Sequence, residues 1–295
     1  IRSLWTGTRS GRAGAGLWNV SINFLKDIEG TMKRLKYEYR TLVEFDRDVI
    51  DHGFLLRCLP RDDDRQHPEY SWLEVWPETE VKGEPDFWNN MTVQGFVIKP
   101  HHCFCFRSWG EVTVDLSRPR KEWHPIFCYP TKFTQTSPAM EALRKKLLGK
   151  NDSEGRWAGS NALSKALCLM NGLYNVFEYR TGVTRTATTA EEAFALGQGV
   201  CQDYAHMLAA MCLYAKIPAR YVAGFMLGEG YTHAWVEIFS EGSWYGLDPT
   251  NNLMVDETYI KLAHGRNALD CSVLRGGFKG SVCQSQEIFV HVEEV

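Results

Sequence analysis

Three side chains that can together carry out nucleophilic acyl transfer follow one another along this chain of 295 residues. Cys201 follows the pair Gly-Val and opens an apolar segment, His233 opens a predicted strand, and Asp248 closes the next one. A thiolate attacks a carbonyl carbon, an imidazole holds the thiol proton and returns it to the leaving group, and a carboxylate orients the imidazole. The order of the three residues and their positions at element ends therefore predict a catalytic triad.

The segment that begins at Cys201 is predicted to be a helix with the thiol in its first turn. Between Gln202 and Ala215, apolar residues recur at helical spacing, at Ala205, Leu208, Ala209 and Cys212. The helix should end before Pro218. Because the first backbone N–H groups of a helix have no intrahelical acceptor and carry the positive end of its dipole, this position favours a thiolate.

His233 and Asp248 should be brought together by two antiparallel strands. Residues 234–239 and 244–247 have strand patterns, and the sequence between them has the composition of a turn. A two-residue loop at Ser240-Glu241 would set His233 directly opposite Asp248, whereas a turn centred one residue later would make them diagonal neighbours. In either register, one imidazole nitrogen meets the carboxylate and the other stays available to the thiol.

Composition and charge favour a globular enzyme, and the predicted acyl-transfer chemistry implies a peptide or protein substrate as its partner. The chain is 44% hydrophobic and 23% charged, and its formal net charge of −3 gives no electrostatic reason to expect nucleic acid or an anionic membrane as a partner. No apolar run approaches the roughly 18 residues of a membrane-spanning helix. The nine cysteines are odd in number and form no disulfide framework, and oxidation would inactivate Cys201. We therefore expect a cytoplasmic location; the oligomeric state stays open.

The element patterns divide the chain into three parts. Residues 1–31 are interpreted as a non-native or disordered extension, with Met32 as the natural start. Residues 32–136 are predicted to form a β-rich domain with loops at 61–65 and 76–85, and residues 137–295 a catalytic core of helices and strands. The predicted strands are 36–45, 71–75, 90–98, 103–115, 219–227, 234–239, 244–247 and 286–292, and the predicted helices are 138–148, 160–177, 189–197 and 202–215.

Other groups of polar residues have simpler explanations than a metal or cofactor site. The run His101–Cys105 would place both of its cysteines on one face of a strand and Phe104 on the other, which favours strand packing over a zinc site. The acidic run Asp62–Asp64 is flanked by arginines and lacks the pattern of a calcium loop, so a solvated loop is favoured. His206 lies off the helix face of Cys201 and is expected to pack rather than line the site. No metal and no cofactor is predicted.

Four motifs in this order closely resemble the bacterial transglutaminase-like superfamily. They are Gly199–His206 (GVCQDYAH), Ile217–Gly224 (IPARYVAG), His233–Glu237 (HAWVE) and Asp248–Thr250 (DPT). The segments Met32–Thr41 and Leu55–Pro60 resemble the β-rich region that precedes the core in one bacterial branch, and Arg275–Gly280 resembles the closing segment of that branch. The resemblance implies a papain-like α+β fold whose Cys-His-Asp triad is Cys201, His233 and Asp248.

The resemblance leaves several reactions open, because similar proteins include cross-linking enzymes, peptidases, deamidating enzymes and proteins without catalysis. Hydrolysis of peptide or amide bonds is the favoured outcome, with amine cross-linking and a non-catalytic interaction module as alternatives. The backbone N–H of Cys201 is the expected first donor to the oxyanion. For the second donor, Gln198 and Tyr179 are the candidates.

Overall fold

The structure is a computed structural model that describes residues 32–149 and 161–295. The predicted extension over residues 1–31 lies outside these ranges. The strands in chain order are β1 (Lys33–Leu56), β2 (Gln66–Trp76), β3 (Val81–Pro85), β4 (Met91–Val97), β5 (His101–Val114), β6 (Glu178–Tyr179), β7 (Gln198–Gly199), β8 (Ala219–Met226), β9 (Gly228–Gly230), β10 (His233–Ser240), β11 (Ser243–Asp248), β12 (Leu253–Met254), β13 (Tyr259–Gly265), β14 (Leu274–Lys279) and β15 (Gln284–Glu294). The helices are α1 (Pro138–Leu148), α2 (Ala162–Tyr174), α3 (Ala190–Leu196) and α4 (Cys201–Tyr214), with short 3-10 turns at Pro125–Cys128 and Lys132–Thr134.

Strand β1 is the long central strand of an N-terminal sheet. Its odd-numbered side chains from Leu35 to Val43 are buried, because a strand turns alternate residues to opposite faces. It pairs antiparallel with β5 on one side and β15 on the other, in the order β2-β5-β1-β15-β9. Farther along, β1 pairs with β4 and β14. Strands β14 and β15 follow the core in the sequence, so segments on both sides of the core build this sheet.

The domain bounds 32–136 and 137–295 stay a prediction. The pairing of β1 with β14 and β15 crosses the predicted boundary between the two segments. The strands of 274–294 lie in the predicted core segment, yet they hydrogen-bond to β1 of the first segment. Such long-range pairing cannot be read from local sequence patterns, because only the register of the folded sheet specifies it.

Strands β3, β13 and β14 and the short strands β6, β7, β9 and β12 were not predicted, and the predicted loop at 76–85 is wrong in part because it contains β3. Strand β3 pairs with β4 although its sequence is Val-Lys-Gly-Glu-Pro, which has little strand propensity. Strand β13 is buried at every position, so the alternation that marks a half-exposed strand is missing from its sequence.

The core is a five-stranded antiparallel sheet with helices on one face. Its order is β12-β11-β10-β8-β13. Helix α4 packs against β10 and β8, and its predicted apolar positions Ala205, Leu208, Ala209 and Cys212 are all buried. The helix predicted over 189–197 begins with a capping box, because Thr189 N–H donates to Glu192 Oε2 at 2.8 Å and Glu192 N–H donates to Thr189 Oγ1 at 3.3 Å.

The turn between β10 and β11 decides between the two predicted registers. Ser240 pairs with Ser243, so the loop residues are Glu241 and Gly242. Both have positive φ, 49° and 79°, as two-residue hairpin turns of the primed type require. The second register is therefore the correct one, and His233 and Asp248 are diagonal neighbours.

An aromatic contact joins the N-terminal sheet to the core. The ring of Phe225 on β8 lies 5.9 Å from that of Tyr37 and 5.2 Å from that of Tyr39, and all three side chains are buried. Ile260 and Leu262 of β13 belong to the same apolar cluster. Among residues 32–149 and 161–295, no helix is long and apolar enough to cross a membrane.

Candidate active site

Cys201 is the first residue of α4, one residue before the predicted start of the helix, and the buried carboxylate of Asp203 shapes the turn that precedes it. Val200 is the N-cap residue, and its side chain cannot accept a hydrogen bond. Asp203, the third residue of the helix, caps the turn instead. Asp203 Oδ2 accepts the Val200 N–H at 2.8 Å and the Thr184 hydroxyl at 2.7 Å. The turn places the thiol at the positive end of the helix, where the first N–H groups are free of intrahelical acceptors.

His233 and Asp248 are hydrogen-bonded across the two strands. Nε2 of His233 donates to Oδ2 of Asp248 at 2.8 Å. The Asp248 side chain is fully buried, and that of His233 is 12% exposed. The sequence-based expectation that the carboxylate would hold one imidazole nitrogen matches this contact.

The second imidazole nitrogen, Nδ1, is not engaged by Asp248, and Cys201 interacts with the His233 ring closely enough to help raise its pKa. Burial opposes a positive charge on the imidazole, but the hydrogen bonds and charges of Asp248 and Cys201 outweigh it and raise the pKa of His233 to about 9. The three predicted residues therefore lie near one another, with His233 interacting with both Asp248 and Cys201. At neutral pH the imidazole of His233 is protonated.

The carboxylate of Asp248 is held by more residues than the sequence indicated. Its Oδ2 also accepts Tyr259 OH at 2.9 Å and Asn251 Nδ2 at 2.8 Å, and its Oδ1 accepts the Thr250 N–H at 3.0 Å. Burial alone would raise the pKa of Asp248, but the hydrogen bond and charge of His233 and the bonds from Asn251 and Tyr259 lower it below its usual value. The Asp-Pro-Thr motif could have drawn attention to Asn251, which follows it directly, whereas no local signal marks Tyr259.

Two stretches of the chain match known protein families. The sequence profile of the transglutaminase-like superfamily matches residues 154–249, a range that contains Cys201, His233 and Asp248. The sequence profile of the bacterial transglutaminase-like N-terminal region matches residues 35–113. The chain therefore contains a transglutaminase-like core preceded by the bacterial transglutaminase-like N-terminal region. The resemblance seen in the four motifs and the upstream segments is thereby confirmed.

Relatives of this transglutaminase-like chain include uncharacterised mycobacterial proteins. One from Mycobacterium leprae is 24% identical over an alignment that covers 80% of this chain and 90% of that protein. One from Mycobacterium tuberculosis is 38% identical over 125 residues, which cover 37% of this chain and 40% of that protein. A crystal structure from Cytophaga hutchinsonii, named a candidate cysteine protease, is 22% identical, has a TM-score of 0.73 and covers 90% of this chain and 92% of its own. This similarity confirms the predicted α+β fold, a transglutaminase-like core with a β-rich N-terminal region.

The two candidates for a second oxyanion donor differ in their surroundings. Gln198 Oε1 accepts from Arg180 Nη1 at 3.1 Å. The Tyr179 side chain is 52% exposed, and its partial burial, followed by its electrostatic interaction with Cys201, raises the pKa of its hydroxyl. Tyr179 of β6 pairs with Gly199 of β7, two residues before Cys201, so it stays a candidate for the second donor.

His206 of the transglutaminase-like core packs in the interior. It is fully buried, its Nε2 accepts the Ala268 N–H at 3.0 Å, and its ring stacks on Phe133 at 5.5 Å. Burial lowers its pKa to about 3. It is a neutral structural residue.

The run His101–Cys105 behaves as a strand. Phe104 is fully buried while Cys103 and Cys105 are half-buried on the opposite face, and the His101 ring stacks on that of His52 at 5.3 Å. In the two stretches that the structure describes, no group of three or more histidine, cysteine, aspartate or glutamate side chains could hold a metal ion.

A buried charge cluster joins the core sheet to two segments that lie outside the strands of the N-terminal sheet. Glu237, four residues after His233 on β10, accepts from Arg220 Nε at 2.6 Å, from Lys261 Nζ at 2.7 Å and from Arg120 Nη1. Arg120 in turn donates to Asp63 at 2.8 Å. The predicted solvated loop is thus wrong for Asp63, whose side chain is 7% exposed, since its carboxylate compensates the charge of Arg120.

Proposed function

We propose that the chain is a thiol acyl-transfer enzyme that hydrolyses peptide or amide bonds through Cys201, His233 and Asp248. The observation that carries the proposal is the imidazole of His233, which hydrogen-bonds to Asp248 through Nε2 at 2.8 Å and whose pKa is raised by Asp248 and by Cys201 at the start of α4. This is the arrangement that nucleophilic catalysis requires of a nucleophile, its base and the group that orients the base.

In the first half-reaction, Cys201 Sγ forms a bond to the carbonyl carbon of the substrate. The carbonyl oxygen takes up the negative charge, and the backbone N–H of Cys201 at the start of α4 is suited to stabilise it. The C–N bond then breaks while His233 Nδ1 gives its proton to the departing nitrogen. The products are a thioester on Cys201, a free amine or ammonia, and a neutral imidazole.

In the second half-reaction, a water molecule loses a proton to His233 Nδ1 and attacks the thioester carbon. The C–S bond breaks, Cys201 leaves as a thiolate beside the protonated imidazole, and the product is a carboxylic acid. Throughout, Asp248 keeps Nε2 protonated and so fixes the ring orientation. A primary amine in place of water would give transamidation by the same steps. The hydrolytic outcome agrees with the name given to the structural neighbour from Cytophaga hutchinsonii.

The test is mass spectrometry of a peptide mixture incubated with the protein in the presence of a primary amine. Cys201→Ala should abolish every product, and Cys283→Ala, which changes an exposed cysteine away from the site, should leave them unchanged. A mass gain of one water at a cleaved bond identifies hydrolysis, conversion of glutamine to glutamate identifies deamidation, and addition of the amine identifies cross-linking. Products that persist in Cys201→Ala would refute the thiol mechanism.

A further inference from the structure

One oxygen of Asp248 is shared by three side-chain donors from separate parts of the core. His233 donates to Oδ2 from β10, Asn251 donates from the turn after β11, and Tyr259 donates from β13. The other oxygen is held by the backbone N–H groups of Thr250 at 3.0 Å and Asn251 at 3.3 Å. The backbone bonds fix where the carboxylate lies, and the side-chain bonds fix how it is turned.

Tyr259 is the donor that solvent cannot replace. Its side chain is 6% exposed, whereas Asn251 is exposed, so water can take over the bond of the asparagine but not that of the tyrosine. The Tyr259 ring packs edge-on against Trp235, with centroids 5.4 Å apart, and lies 6.3 Å from the His233 ring. Burial and the adjacent Asp248 charge raise the pKa of the Tyr259 hydroxyl, so it stays a proton donor.

We propose that Tyr259 is a positioning residue that holds the Asp248 carboxylate in the orientation which keeps His233 Nε2 protonated and turns Nδ1 towards Cys201. Tyr259 acts through Asp248 and does not touch the reacting atoms. The catalytic meaning of this role rests on the proposed function, but the orientation of His233 can be measured without a substrate.

The substitution Tyr259→Phe separates positioning from packing, because it keeps the ring against Trp235 and removes only the hydroxyl. In Tyr259→Phe, we expect the His233 Nε2 proton to exchange with water about tenfold faster than in the unmodified chain. The exchange rate is measured by NMR on the whole chain. Asn251→Ala should change it by less than about threefold, since water can replace that exposed bond. The matched control is Tyr214→Phe, which removes a tyrosine hydrogen bond of 2.7 Å to Gln135 Oε1 at the far end of α4.

Thermal unfolding of Tyr259→Phe establishes that the variant is folded before exchange is compared. A His233 exchange rate within twofold of the unmodified chain would overturn the positioning role. If exchange accelerates as expected but the unmodified chain forms no Cys201-dependent product, the proposed function fails and the positioning role stands. Where a product forms, Tyr259→Phe should lower kcat by about tenfold and leave KM unchanged, and a change confined to KM would contradict the proposal.

Discussion

Gly199 approaches the side chain of Asp203 so closely that no larger residue fits at position 199. A Cβ there would overlap the Asp203 carboxylate, whose Cγ would lie only 2.9 Å away. The same carboxylate accepts the Val200 N–H and the Thr184 hydroxyl, and thereby fixes the turn that leads into α4. The first motif of the sequence thus has a structural cause: the glycine makes room for the aspartate, and the aspartate sets the place of Cys201.

Gly199→Ala should therefore destabilise the protein and misplace the thiol. We expect the free energy of unfolding to fall by about 1–3 kcal/mol, as for other overpacked sites, because either Asp203 or the backbone must move. Urea denaturation measures this change. The matched control is Gly230→Ala, where an added Cβ meets nothing within 4 Å, and it should stay within about 0.5 kcal/mol of the unmodified chain. Equal effects of the two substitutions would contradict the packing argument.

The raised pKa of His233 predicts a pH dependence of both activity and stability. In the folded state this pKa is about 9, against 6.5 for an unperturbed histidine. The imidazolium therefore stabilises the fold fully below pH 6.5, and this contribution, at most about 3 kcal/mol, is lost as the pH rises through 9. Activity should fall over the same alkaline range, since the proton for the leaving nitrogen is lost.

The measurement is the free energy of unfolding at about pH 6 and about pH 9.5 for the unmodified chain and for His233→Ala. The difference between the two proteins should shrink at the higher pH. Cys201→Ala should move the alkaline midpoint downwards, because the hydrogen bond and charge of Cys201 help to raise the pKa of His233. An identical pH dependence in the unmodified chain and His233→Ala would rule out the imidazolium as its source.

The placement of Cys201, His233 and Asp248 could be predicted because each of them lies at the end of an element with a local signal. The helix pattern after Cys201 and the strand patterns after His233 and before Asp248 are all readable from short windows. The register was ambiguous by one residue, because Ser-Glu-Gly-Ser permits either turn. Only the positive φ of both Glu241 and Gly242 decides it, and glutamate gives no sign of that conformation.

The residues that sequence patterns could not reveal are those that act across long chain distances. Tyr259 reaches Asp248 from a strand with no alternating pattern, and Asp63 reaches Arg120 from a segment that looks solvated. The strand β15 pairs with β1 across nearly the whole chain. In each case the partner is set by tertiary packing, which a local pattern does not encode.

Glu237 should be the most sensitive residue of the buried charge cluster. Its carboxylate faces Arg120, Arg220 and Lys261, and it is 3% exposed. Burial opposes its charge, but these three cations lower the pKa of Glu237 well below its usual value, so it is ionised in the folded protein. Glu237→Gln would leave the cations with a neutral partner in a site that water does not reach. We expect a loss of about 3–5 kcal/mol in the free energy of unfolding, measured by urea denaturation.

The matched control for Glu237→Gln is Glu287→Gln on β15, which removes the same charge from an exposed position. It should change the free energy of unfolding by less than about 0.5 kcal/mol. Because Glu237 lies on the same strand as His233, a folded Glu237→Gln variant should also turn over substrate more slowly, although the substitution is four residues from the imidazole. A Glu237→Gln variant as stable as Glu287→Gln would mean that the cluster contributes little, and that the apolar contact of Phe225 with Tyr37 and Tyr39 holds the N-terminal sheet to the core without it.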